Sequence, residues 1–351
     1  MTHSALAAAS FFTTPGKPLR ALAIGEGAGR IHHSFRVECE GGAVVLQRLN
    51  EAVFPDLNAV MGNFTRVTDH LRRKRGSNSD RAVLRALPTH LGQWLHRDPA
   101  GSAWRCTRFI EHSRMPSEPP STQDAWAVAF MLGRFLGDLS DLPLESLEEV
   151  LPGFHDTRAR FDAFCDALSK DPRGRAGQAT AEIALARDHS ALASPFTNSA
   201  IPLRPVHNDT KLANVLLDGK TGQGLCVLDL DTVMPGFAAH DFGDLVRSAA
   251  FDGGEESEAP LNLERLSVLA EGYFEGAGNS LSLQERSSFS LGAQIISFEL
   301  GLRFLTDFLQ GDPYFGASHP QQNLLRARAQ FYRVLELERH AAQVASLLNP
   351  K

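Results

Sequence analysis

Val206-His207-Asn208-Asp209-Thr210-Lys211-Leu212-Ala213-Asn214, with the later Leu228-Asp229-Leu230-Asp231, restricts this chain more than any other feature. An Asp and an Asn five residues apart, followed fifteen residues later by another Asp, match the polar groups that phosphoryl transfer needs. Asp209 suits the task of orienting and deprotonating an attacking hydroxyl. The Asn214 amide oxygen and the Asp229 carboxylate are hard ligands suited to a divalent cation such as Mg2+. Val215-Leu216-Leu217 and Leu225-Cys226-Val227-Leu228 read as strands, and Asp218-Gly219-Lys220-Thr221-Gly222 between them as a hairpin turn. A loop followed by a hairpin brings Asp209, Asn214 and Asp229 to one point. The plain alternative, polar residues that merely end strands, is disfavoured because all three stand at suitable separations. His207 reads as a brace of the loop.

A chain of 351 residues exceeds one small core and suits two lobes. Apolar (43%) and charged (22%) content are ordinary for a globular protein, and a net charge of −6 argues against general nucleic-acid binding. The basic run Arg72-Arg73-Lys74-Arg75 reads as a solvated helix end. Cys39, Cys106, Cys165 and Cys226 lack paired spacing, and three of them sit among apolar neighbours as expected for buried thiols. Met1 to Thr14 lacks the pattern of a signal peptide, and no stretch reaches transmembrane length. The expectation is a cytoplasmic protein with no nucleic-acid or membrane partner.

The first third alternates strands and turns: Leu19 to Ile24, Ile31 to Cys39, and Ala43 to Leu49 after Gly41-Gly42. Apolar residues at helical spacing predict a helix from Asp56 to Arg75. Strands are expected around Gly92 to Leu95 and Trp104 to Ile110. Met115 to Pro120 breaks the pattern and places the lobe boundary at 114/115. Beyond it Ser121 or Thr122 caps a helix, and further helices are expected over Arg158–Leu168, Leu263–Glu275, Leu283–Leu309 and Gln321–Leu348. Only the hairpin around Asp218 interrupts this half. The expected fold is α+β, with a small β-rich N-lobe (1–114) bearing one helix and a large helical C-lobe (115–351).

Several groups admit two readings. Asp231 faces the same way as Asp229 on a strand, so it either serves metal or acceptor or is structural. Asp241-Phe242-Gly243 spells a metal-binding triplet but comes too late in the chain for that role. Asp244 is expected to start a helix, as its cap or as a brace for the catalytic loop. Nine residues separate Asp231 from Asp241, too few for a long activation loop, which favours a small acceptor. Gly25 to Gly29 can lay backbone N–H groups over phosphates, but it fits no dinucleotide fingerprint.

Taken together, Gly29-Arg30-Ile31-His32-His33-Ser34-Phe35, Val45 to Asn50, Trp104-Arg105-Cys106, Phe154-His155-Asp156-Thr157, His207 to Asn214, and Arg303 to Asp307 with Gly311 to Phe315 resemble the aminoglycoside phosphotransferase and choline kinase group. More narrowly, they are similar to the N-acetylhexosamine 1-kinases. The resemblance implies a two-lobed, protein-kinase-like fold using ATP and Mg2+, with Asp209 as base and Asn214 and Asp229 on the metal. It implies that Phe109, Ile110 and Glu111 form the hinge meeting adenine, and that the acceptor is a sugar phosphorylated at its anomeric hydroxyl. Gly29, Ser34, Gln47 and Arg48 are the candidate nucleotide-binding residues of the N-lobe beside that hinge. Gln47-Arg48 replaces the Lys of protein kinases, and only one of the two can face the cleft. The following helix carries no Glu to pair with such a cation.

For the acceptor, Glu299, Arg303 and Asp307 share one helix face at i, i+4, i+8, either as a surface ion-pair ladder or as buried groups with a task. His32, His33, Asp231 and Tyr314 complete the candidate substrate residues. Glu255, Glu256 and Glu258 form an acidic cluster expected on a mobile loop, an alternative docking point for a cationic acceptor. The same-fold alternative is a kinase of an amino-alcohol or aminoglycoside, and a non-catalytic nucleotide binder is the third reading. Sequence leaves the choice between monomer and homodimer open.

Overall fold

The computed structural model describes residues 1–25, 31–194, 196 and 201–348. Helix α1 (Thr2–Ala9) precedes β1 (Pro18–Ile24), β2 (His33–Cys39) and β3 (Gly42–Arg48), then α2 (Leu57–Arg75), β4 (Ala86–Leu87), β5 (His96–Arg97), β6 (Ala103–Arg108) and β7 (Ser113–Arg114). The larger part holds α3 (Thr122–Asp138), α4 (Thr157–Lys170), α5 (Thr180–Asp188), β8 (Arg204–Val206), β9 (Val215–Asp218), β10 (Gly224–Val227), β11 (Met234–Gly236) and α6 (Ala238–Ala249). It ends in α7 (Leu263–Ala277), α8 (Leu283–Gln310), α9 (Gln322–Arg339) and α10 (Ala341–Leu348). The expected α+β fold is what the chain adopts: a small antiparallel sheet region followed by a larger helical one.

The first sheet runs β1-β2-β3-β6-β4, with β5 also pairing β6. Alternation along β2 and β3 turns Phe35, Val37, Val44 and Leu46 onto a core shared with α1, Trp104 and Cys106. α1 was not foreseen; its Ala5, Ala8 and Ala9 fill this core at helical spacing. α2 starts where the Asp56 carboxylate accepts the N–H groups of Asn58 and Ala59. Its Met61, Phe64, Val67 and Leu71 join the main core with α3, α6 and α7, so the N-terminal helix belongs as much to the large part as to the sheet. Arg75 is not a solvated helix end: it is buried in an ion pair with Asp138 at 2.9 Å.

Three expectations change in the second half. Strand β7 pairs with β9, so the chain crosses out of the first sheet after β6, before residue 114. β8 and β11 form a further two-stranded pair, so the hairpin is not the sole interruption. The last helical stretch divides at His340 into α9 and α10.

α8 begins with a reciprocal capping box between Ser282 and Glu285. It packs on α6 so closely that a Cβ on Gly292 would stand 2.1 Å from the Ala239 carbonyl, and one on Gly243 2.4 Å from the Gly292 carbonyl. Only glycine permits this approach, which fixes the helix that carries Asp241 and Asp244. Cys39, Cys106 and Cys226 are buried free thiols, while Cys165 is exposed. Among the described residues, no helix is long and apolar enough to cross a membrane.

Candidate active site

Residues 207–214 run between β8 and β9 as a loop held from below. Asp241, in the first turn of α6, accepts the backbone N–H of His207 at 2.9 Å and of Asn208 at 2.7 Å, and its carbonyl accepts the Thr210 hydroxyl. Ser248 Oγ, further along the same helix, accepts the Leu212 N–H at 3.0 Å. The brace of this loop is therefore Asp241. Asp244 lies in the middle of α6, which starts at Ala238, so it is neither the cap nor the start of the helix.

His207 is fully buried and ties two segments together. Its Nε2 faces the Leu228 carbonyl at 2.7 Å and must donate; its Nδ1 accepts the Asp209 N–H at 3.2 Å. That arrangement selects one neutral tautomer. The Leu228 N–H in turn donates to the Asn214 carbonyl at 2.8 Å. Asp229 follows directly in a left-handed conformation (φ 57°), and Asn208 is left-handed as well (φ 63°). Both belong to the short polar residues that tolerate this region.

Asp209 accepts from Lys211 Nζ at 2.8 Å and from Asn214 Nδ2 at 2.9 Å. Burial pushes its carboxyl up, but the charge and hydrogen bond of Lys211 more than offset this and hold it below the usual range. It is thus a carboxylate at neutral pH. Asn214 commits its amide nitrogen to the Asp209 side chain and carbonyl, which turns its oxygen away from them. No hydrogen bond or ion pair among the described residues reaches the Asp229 carboxylate. Burial first, then the charges of Asp231 and Asp209, push its pKa up. A crowded carboxylate without a partner beside a free amide oxygen is a donor set that fits a hard divalent cation. Among the described residues no group of three or more His, Cys, Asp or Glu could hold a metal, so most ligands of such an ion would be phosphate oxygens and water.

The N-terminal sheet reaches the same point through buried polar pairs. Arg105 of β6 donates to both oxygens of Asp231, the Nη2 bond measuring 2.8 Å. His32 Nε2 donates to Asp231 Oδ2 at 2.8 Å while its Nδ1 accepts the Asn50 N–H at 3.1 Å. Arg105 Nε donates to Gln47 Oε1 at 2.9 Å, and Gln47 Nε2 to Ser34 Oγ at 3.1 Å. Of the residues expected to meet nucleotide or acceptor, Ser34, Gln47, His32 and Asp231 therefore bind one another through Arg105. Arg48 and the exposed His33 form no side-chain hydrogen bond or ion pair among the described residues. Gly29 lies outside them.

In the expected hinge, the Phe109 N–H donates to Ala43 O at 3.2 Å, the Ile110 carbonyl accepts Ser113 Oγ at 2.7 Å, and the Glu111 carbonyl accepts Arg81 at 2.9 Å.

On α8, the expected row of three separates into different tasks. Glu299 accepts from Thr157 at 2.8 Å and from His155 Nδ1 at 3.0 Å, and His155 Nε2 meets the Asn208 carbonyl at 2.9 Å. Both ring nitrogens face acceptors, so His155 is an imidazolium. Burial alone would lower its pKa, but Glu299 and the carbonyl raise it instead; against its own burial, Glu299 is held down to about 2 by His155. Asp307 accepts the N–H groups of Tyr314 (2.8 Å) and Phe315 (3.0 Å) and so shapes the loop after α8. Arg303 has no carboxylate partner among the described residues. The Phe154, Tyr314 and Phe315 rings surround it at 5.4–5.9 Å, and Tyr314 Oη lies 3.5 Å from its Nη2. The carboxylates of the acidic cluster are already paired: Glu255 with Arg326 (3.0 Å), Glu256 accepting from Gln322 (2.6 Å), and Glu258 3.9 Å from Arg328.

Sequence reasoning gave no role to Lys211, Arg105, His155 or Asp241. Lys211 stands two residues after Asp209, and Arg105 is a charge between the apolar Trp104 and Cys106; both were visible signals. His155 and Asp241 had none, because their partners lie far along the chain.

The loop bearing Asp209 and Asn214, and Asp229 after it, lie where the Arg105–Asp231 pair joins the small sheet to the helical body. Residues 26–276 match the phosphotransferase enzyme family, and the chain belongs to it. Its fold is similar to that of a microcompartment-associated aminopropanol kinase (15% identity, 99% of each chain covered, TM-score 0.64). It is also similar to an amicoumacin kinase solved in complex with AMP-PNP, Ca2+ and Ami (11% identity, 96% and 93% covered, TM-score 0.65). A third similar structure is a choline/ethanolamine kinase family protein from Mesorhizobium loti (18% identity, 94% and 92% covered, TM-score 0.56).

Proposed function

We propose that this protein is an ATP- and Mg2+-dependent kinase that transfers the γ-phosphoryl group to the anomeric hydroxyl of an N-acetylhexosamine or a related hexose. Asp209, ionised and fixed by Asn214, accepts the hydroxyl proton as the acceptor oxygen bonds to the γ-phosphorus and the bond from that phosphorus to the β,γ-bridging oxygen breaks, releasing ADP. Lys211 offsets negative charge between Asp209 and Asp229, where phosphoryl oxygens would gather. Mg2+, when held by Asn214 and Asp229, would neutralise the phosphate oxygens. An anomeric hydroxyl is more acidic than an ordinary alcohol, so a carboxylate of lowered pKa is an adequate base.

One observation carries the choice of acceptor. Arg303 is a guanidinium without a carboxylate partner among the described residues, walled by three aromatic rings, while Glu299, Asp307 and Asp231 are already bound. The Arg303 charge repels an ammonium from these rings, and the surface favours a neutral polyol that stacks on rings and accepts hydrogen bonds. One feature favours an amino-alcohol or aminoglycoside instead: Asp244 Oδ2 is buried and has no hydrogen-bond partner among the described residues. An ADP-release assay over hexoses, N-acetylhexosamines, choline, ethanolamine and aminoglycosides separates the two. Turnover confined to amines overturns the sugar reading, and NMR of the product identifies the phosphorylated position.

A further inference from the structure

Helix α9 carries Arg326, Gln330 and Arg333 at i, i+4 and i+7, on one face, and all three are buried. The segment after α6 closes over them. The Gly254 carbonyl accepts from Arg333 Nη2 at 3.0 Å, and Glu255 Oε2 lies 3.0 Å from Arg326 Nε. Arg247 of α6 pairs with Asp244 at 2.7 Å and adds its positive charge to the surroundings of Arg333.

The charges do not cancel. Asp244 serves Arg247 and Glu255 serves Arg326, while Arg333 has no carboxylate partner among the described residues. It is 3% exposed, its Nε and Nη1 have no hydrogen-bond partner among the described residues, the Phe251 ring stands 5.4 Å from its guanidinium, and Glu255 acts on it only through its charge. Burial, and then the charge of Arg247, push it down to about 9. Gln330 between the two arginines is 0% exposed, and among the described residues neither its amide nitrogen nor its oxygen has a hydrogen-bond partner. A buried guanidinium without a counter-charge and a buried amide without a hydrogen bond are each costly, and interiors avoid them unless something else satisfies them.

We propose that the Arg333–Gln330 face of α9, reinforced by Arg326 and Arg247, binds a small oxyanion, a phosphate or carboxylate group. Such a group supplies the missing negative charge and accepts from Arg333 Nε and Nη1 and from the Gln330 amide. The site lies close to the transfer chemistry. On α6, Asp241 and Ser248 anchor residues 207–212 of the catalytic segment, and Asp244 lies between them on the same face. The charge of Asp209 also acts on Arg247. Two sources share this chemistry: an anionic substituent on the acceptor, or a free inorganic anion. The inference goes beyond the sugar-kinase reading and stands if that reading fails.

The full chain is melted in sodium phosphate and in sodium chloride at equal ionic strength. Wild type should gain on the order of 3 °C at saturating phosphate over chloride. Arg333→Met should lose that part of the gain, and in chloride it should melt no lower than wild type, because an unpaired buried charge has been removed. No phosphate-specific gain in wild type, as expected if water alone satisfies these groups, overturns the proposal. So does a gain that Arg333→Met retains in full. Should that variant not fold, Gln330→Leu must weaken phosphate binding measured by calorimetry at least fivefold, and unchanged binding again overturns it. Kinetics then separates the sources. A KM for hexuronates or hexose phosphates that rises tenfold in Arg333→Met, with neutral hexoses unaffected, assigns the anion to the acceptor. Equal kinetics with the phosphate response lost assigns a free ion.

Discussion

Asp231→Asn tests whether the link between the sheet and the catalytic segment is structural. The side chains of Arg105 and Asp231 are 3% and 1% exposed, and the guanidinium meets both carboxylate oxygens. Removing one partner of a buried pair leaves the other charge uncompensated, at a cost of about 3–5 kcal/mol. Gln47 remains on Arg105 Nε, and the Asn side chain keeps one oxygen for His32 or Arg105, so the lower end of that range applies. Equilibrium urea unfolding of the ligand-free protein measures it as a lower midpoint at unchanged slope. Arg105→Met should cost a similar amount. The double variant should cost clearly less than the sum, because no orphan charge remains. Turnover should fall as well, since Asp229 sits two residues from the broken pair. An unfolding free energy within about 0.5 kcal/mol of wild type, together with a raised acceptor KM, would refute the structural role and return Asp231 to the substrate.

Asp209→Asn should lower turnover by roughly 100- to 10,000-fold while nucleotide affinity, read by titration calorimetry, stays nearly constant; unchanged turnover removes it as the base. Asp229→Ala should abolish the Mg2+ dependence of nucleotide binding, and unaltered affinity in saturating Mg2+ would take it out of the metal site. Arg303→Ala should raise the KM of the acceptor about tenfold or more, and that of ATP little; an effect on ATP alone contradicts the acceptor reading. The His155–Glu299 pair sets a pH window. His155 is raised above its ordinary 6.5, so its contribution is complete below 6.5 and is lost as pH rises through the raised value. Glu299 is lowered from 4.5 to about 2, so its contribution is complete above 4.5 and is lost as pH falls towards 2. Melting temperature should therefore be flat between these limits, and Glu299→Gln should remove the alkaline decline.

The two-lobed class and the local elements were legible because their causes are local. Periodicity marked α2 and α8, Asp56 and Ser121 marked helix starts, and Gly41-Gly42 marked the hairpin between β2 and β3. The spacing of Asp209, Asn214 and Asp229 was equally local, and a loop and a hairpin suffice to gather them. Asp241 was passed over as a decoy because its partners are backbone N–H groups 33 and 34 residues away. The polar residues of the N-terminal sheet could be noticed but not assigned. Whether Gln47 and His32 meet a ligand or Arg105 and Asp231 depends on which strands are neighbours. Spacing made Glu299, Arg303 and Asp307 one face, yet Glu299 holds His155 while Arg303 meets the rings, and Asp307 the N–H groups, of Tyr314 and Phe315. Sequence by itself determined the chemistry available at the catalytic loop. Tertiary structure decided which charges are already spent and which remain free, because pairing of buried charges depends on distances through space that the chain order does not contain.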